Sequence, residues 1–192
     1  MDALTAVKDL RRPEAQGPTD PHVWLDPHLM GAITDRVAAE MARARPPARD
    51  RFEERAAAYR AELDQLDRDF STGLETCRRR VVVTAHEAFG YLGRRYGLDV
   101  RAIAGLAPES EPNPARVASV VDEIKALGVT TVFHEARGPA EAAETVAREA
   151  GVRTAPLDPL ETLSRAAENA GDDYVSVMRR NLAALRVALE CS

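Results

Sequence analysis

Three residues in this 192-residue chain, His22, His86 and Asp158, pair a metal-ligating side chain with a setting able to present it. Imidazole nitrogen and carboxylate oxygen are the donors that divalent zinc takes alongside thiolate. His22 lies in DPHVWLDP, between two Asp-Pro steps that restrict the backbone and two residues before Trp24, a large apolar anchor. His86 lies in VVVTAHEAFGYL, where a β-branched run hands over to a helical pattern. Asp158 lies in APLDPLETL, held between Pro156 and Pro159 in a stiff turn. Two of them have a bland alternative: His86 as a histidine that caps the helix or bonds to backbone, and Asp158 as the cap of the following segment.

Glu135 directly follows His134 at the end of a strand pattern, and neighbouring residues of a strand point to opposite sides. Glu135 is therefore expected to orient a ligating imidazole, the usual arrangement around metal-bound histidine, with His134 packed or facing solvent. His28, in the first turn of the first helix, is expected to face water.

Other chemistries fail on their motifs. GxSxG, HExxH, GxGxxG and the Walker-type GxxxxGK[ST] are all missing, and Cys77 and Cys191 match no CxxC spacing. Their even number permits a disulfide without requiring one. A balance of 26 basic against 31 acidic residues, net −5, argues against nucleic acid, which needs a basic face. No apolar stretch approaches the roughly 20 residues of a membrane helix, and the polar start MDALTAVKDLRRPEAQ is not a signal peptide. The enzyme alternative is a metal-assisted hydrolase that uses His22, His86 and Asp158 with a metal-bound water, and Glu109, Glu111 or Glu135 as base.

The elements that must position these residues follow from periodicity. Asp26 and Pro27 form a cap and first-turn pair, so a helix is expected from Pro27 to about Arg45, stopped by Pro46-Pro47. Phe52, Ala56, Tyr59, Leu63, Leu66, Phe70 and Leu74 then trace one helical stripe. Beyond Cys77 the pattern becomes strand and helix in alternation. Strands are expected at 81–83, 98–103, 129–133 and 152–155, and helices at 87–96, 114–127, 140–150 and 174–189. This βα repeat implies an α/β fold with a mainly parallel four-stranded sheet and helices on both faces. Ligands of such sheets collect beyond the carboxyl ends of the strands, where His86, Glu109, Glu111, His134, Glu135 and Asp158 fall.

The ordered set DPHVWLDP, long helix, VVVTAHEAFGYLGRRYGLDV, GLAPESEPNPARV, VTTVFHEA, GVRTAPLDPL and DDYVSVMRRNLAALRVAL resembles the metal-binding solute receptors of zinc and manganese ABC importers over about residues 20–190. The resemblance implies a remnant of the N-terminal lobe over 1–47, a linker helix over 48–76 and a C-terminal metal-binding lobe over 77–192. It implies that His22 ligates from the N-terminal side and His86 and Asp158 from the C-terminal lobe. Imidazole donors favour zinc over manganese. It further implies a non-enzymatic receptor that works outside the cytoplasm and hands its ion to an ABC permease. Only 19 residues precede DPHVWLDP, too few for a βαβ lobe, so self-association through exposed apolar surface is expected. A fragment that binds no metal is the remaining alternative.

Overall fold

The computed structural model describes residues 20–106, 113–136, 140–162, 167 and 169–192. Glu109 and Glu111, candidate bases from the sequence, lie outside the described residues. The chain forms two compact units, Met1–Asp69 and Phe70–Ser192.

In the first unit, a 3-10 turn at Val23–Leu25 leads into α1 (Pro27–Ala44). The Asp26 side chain accepts from the backbone N–H groups of His28 and Leu29, and Pro27 occupies the first helical position, as the sequence requires. A second 3-10 turn at Pro46–Ala48 separates α1 from α2 (Arg49–Glu75), whose last residues, from Phe70 on, belong to the second unit. The apolar stripe of α2 divides along its length: Phe52, Ala56 and Tyr59 are half-buried, whereas Leu63, Leu66, Phe70 and Leu74 are sealed. Met30, Ile33, Val37 and Met41 of α1 and Phe52 and Tyr59 of α2 line an apolar groove.

The second unit is built on β1 (Val81–Thr84), β2 (Asp99–Ala102), β3 (Thr131–His134) and β4 (Arg153–Pro156), ordered β2-β1-β3-β4 and parallel throughout. The connecting helices are α3 (Gly90–Tyr96), α4 (Pro114–Leu127) and α5 (Glu141–Ala150), and α6 (Tyr174–Ala188) closes the unit. Val83 and Val132 pack into a core with Val120, Val121 and Ile124 of α4 and Ala143, Val146 and Ala147 of α5. Their strand neighbours Val82 and Phe133, which point the opposite way, are equally buried. Both faces of the sheet are therefore covered. Gly128 and Gly151 end α4 and α5 with φ of 63° and 74°, the left-handed region that closes a helix at least cost with glycine.

One detail departs from the sequence expectation and another settles what the sequence left open. The helix expected from Glu87 begins at Gly90, because the Glu87 N–H donates to the Gly105 carbonyl and the Ala88 N–H to the His86 carbonyl, forming a tight turn. Cys77 and Cys191, left open by the sequence, form a disulfide across an antiparallel bridge. Beside it the N–H groups of Arg78 and Arg79 donate to the carbonyls of Glu190 and Leu189. At the other side of the sheet, the Arg116 guanidinium donates twice to the Ala102 carbonyl and so caps the open edge of β2.

Candidate metal centre

The carboxyl end of the sheet brings together residues from three strand ends. His86 follows β1 by two positions and is 2% exposed. Its carbonyl accepts from Thr84 Oγ1 at 2.8 Å and from the Ala88 N–H at 3.0 Å, so the backbone that carries the ring is fixed. Glu135, the residue after β3, places Oε1 2.6 Å from His86 Nδ1. Glu161, five residues beyond β4, places Oε1 3.3 Å from His86 Nε2. One imidazole thus lies between two carboxylates, one on each nitrogen.

These charges govern the ring's titration. Burial alone pushes the His86 pKa down, but the hydrogen bond and charge of Glu135, followed by the charge and hydrogen bond of Glu161, outweigh it and raise the value above 6.5. The two partners differ in what they do for a metal. A carboxylate on Nδ1 holds the proton there and directs the lone pair to Nε2. A carboxylate oxygen and an imidazole nitrogen bound to one tetrahedral zinc stand about 3.3–3.5 Å apart, given bond lengths of about 2.0–2.2 Å. The 3.3 Å between His86 Nε2 and Glu161 Oε1 fits that edge.

Asp158 is 9% exposed, and its Oδ1 accepts from the Leu160 N–H at 2.8 Å, an Asx turn. Leu160 has φ of 57°, a conformation that costs a leucine about 1–2 kcal/mol, and the reversal there carries the chain to Glu161. Sequence reasoning singled out Asp158 and passed over Glu161. The available signal was the Asp-Pro-Leu run itself: an aspartate two residues before a turn N–H is prone to engage it, which leaves Glu161 as the next carboxylate.

In the first unit, His22 is 2% exposed and its Nδ1 lies 2.8 Å from Asp20 Oδ1. The same oxygen accepts the His22 N–H at 2.9 Å, and the ring meets Trp24 edge-on at 5.2 Å. Asp20 therefore stands to His22 as Glu135 stands to His86, a partner not singled out in the sequence. His28 is exposed, and His134 is half-buried with Nδ1 2.9 Å from the Glu135 carbonyl oxygen.

The family described as zinc-uptake complex component A, periplasmic (ZnuA) matches residues 2–188. The chain belongs to the ZnuA family. Zinc-binding protein AdcA of Streptococcus pyogenes serotype M18 is 36% identical over 171 residues, which are 89% of this chain and 33% of AdcA. High-affinity zinc uptake system protein ZnuA of Bacillus subtilis strain 168 is 34% identical over 170 residues, 88% of this chain and 53% of that protein. The Zn(II)-bound ZnuA-like domain of Streptococcus pneumoniae AdcA superposes with a TM-score of 0.81 at 36% identity, covering 96% of this chain and 69% of the domain. The four-stranded parallel sheet with its helices is thus the ZnuA-like fold. This chain spans about a third of AdcA and about half of the Bacillus subtilis ZnuA.

Proposed function

We propose that this ZnuA-family chain binds zinc as cargo through His86 and a carboxylate of the segment after β4, with His22 as a further donor, and passes the ion to an ABC permease without catalysing a reaction. The observation that carries the reading is the 3.3 Å spacing of His86 Nε2 and Glu161 Oε1, which suits two ligands of one tetrahedral ion. Asp158, the carboxylate singled out by sequence, is the competing ligand, but its Oδ1 is engaged by the Leu160 N–H. Glu135 serves as the group that orients His86. His22 has the same support from Asp20 within the first unit, and imidazole donors favour zinc over manganese.

The names of the relatives support the cargo: AdcA is a zinc-binding protein and the Bacillus subtilis ZnuA belongs to a zinc uptake system. A disulfide between Cys77 and Cys191 supports work in an oxidising compartment outside the cytoplasm. The test is zinc titration of the chelator-treated chain beside H86A, H22A, E161Q and D158N. Tight binding of one zinc that is lost in H86A and weakened in H22A and E161Q is expected. Loss in D158N with full affinity in E161Q would move the ligand role to Asp158, and tight binding in H86A would overturn the reading.

A further inference from the structure

The carboxylate nearest His86 Nε2 is not part of a regular element, so something must hold it there. The segment after β4 is tied down at successive points. The Leu157 N–H donates to the His134 carbonyl at 2.9 Å, anchoring the start of the turn to the end of β3. At Asp158 the backbone is gripped from α6: its N–H donates to Asn181 Oδ1 at 2.9 Å, and Asn181 Nδ2 donates to its carbonyl at 2.7 Å. Asp158 Oδ1 then accepts the Leu160 N–H, and Leu160 turns through its left-handed conformation to deliver Glu161.

Asn181 is 3% exposed in the middle of α6, where a polar side chain is tolerated only with its hydrogen bonds made. Its amide satisfies both backbone groups of one residue, an arrangement that fixes the orientation of the peptide units on each side. The base of this clamp is itself fixed, because the Asp173 side chain accepts the Ser176 N–H and Ser176 Oγ accepts the Asp173 N–H at the start of α6.

We infer that Asn181 is a positioning residue of the zinc site, which sets affinity by clamping Asp158 so that the Leu160 reversal places Glu161 against His86. The inference rests on the reading that His86 and Glu161 hold the ion. Asn181 donates to and accepts from the backbone of Asp158, and its effect reaches the metal only through Glu161.

The test compares N181L, which removes both amide bonds at similar volume, and N181D, which keeps the acceptor for the Asp158 N–H, with E161Q and with V146A, a cavity variant in the core beneath α5. Zinc affinity is read by chelator competition well below the melting temperature, and cobalt(II) substitution reports ligand geometry by its visible absorption. N181L is expected to lose about 10- to 100-fold in zinc affinity with weakened cobalt absorption, N181D, whose second carboxylate oxygen would face the Asp158 carbonyl, to lose at least as much, and V146A to keep full affinity. Should N181L not fold, N181D carries the comparison. Parental affinity in N181L, or in N181D where N181L does not fold, alongside weakened binding in E161Q overturns the inference. Equal losses in V146A and N181L also overturn it, as a general effect of stability. Full affinity in E161Q removes Glu161 from the site and overturns the underlying reading as well.

Discussion

Glu135 Oε1 stands 2.6 Å from Nδ1 of His86, so a residue at the end of β3 governs the proton of a ring at the end of β1. Replacing it with glutamine keeps the shape and removes the charge. E135Q is expected to lower zinc affinity about 10- to 100-fold, measured by competition with a chelator.

The same substitution has a signature in the zinc-free protein. His86 has a pKa raised above 6.5, so the stability it contributes is fully present below the unfolded value and is lost as pH rises through the folded one. Without the Glu135 charge, burial counts for more and the pKa falls. A histidine-resolved NMR titration of E135Q is expected to show His86 titrating at lower pH than in the parent, and the parent's advantage in thermal stability should shrink above that range.

Asp173 caps α6, and its carboxyl is held below the ordinary 3.8 chiefly by the Ser176 N–H. Its contribution is therefore present above pH 3.8 and fades as pH falls through the lower folded value. D173A is expected to cost about 1 kcal/mol near neutral pH in denaturant unfolding, and the gap to the parent should narrow in acid.

Gly93 of α3 lies against β2, where an added Cβ would meet Val100 Cγ2 at 2.6 Å and the Leu98 carbonyl oxygen at 3.0 Å. A methyl group has no room without moving the strand. G93A is expected to destabilise the fold by about 1–3 kcal/mol, and an unchanged unfolding midpoint would contradict the packing described.

Reduction of the disulfide has a sign set by loop length. Cys77 and Cys191 are 114 residues apart, so opening the link frees the unfolded chain more than it alters the fold, which keeps the Arg78 and Arg79 hydrogen bonds. A loss of about 2–5 kcal/mol is expected, seen as a lower melting temperature with reductant and not in the C77S/C191S double variant treated the same way.

What the sequence made legible was whatever local chemistry decides. Asp26-Pro27 started α1 and Pro46-Pro47 stopped it, because caps and breakers act within a few residues. The strand ends carrying His86 and Glu135 were readable from the same alternation. What escaped was decided at long range. The start of α3 was moved to Gly90 by a bond from Glu87 to Gly105 on another segment, and Glu161 stands against His86 beyond a turn whose Asp158 backbone is bonded to Asn181. The disulfide joins residues that no spacing rule connects.

That disulfide also makes a covalent ring. Every strand of the sheet, and His86, Glu135 and Glu161 with them, lies on the stretch between Cys77 and Cys191. A protease that cuts this stretch once produces two pieces that remain one molecule, with the same mass apart from the water added. Nicked and intact protein would comigrate on a denaturing gel until a thiol is added, so damage to the sheet-bearing unit becomes a loss of chain only after reduction.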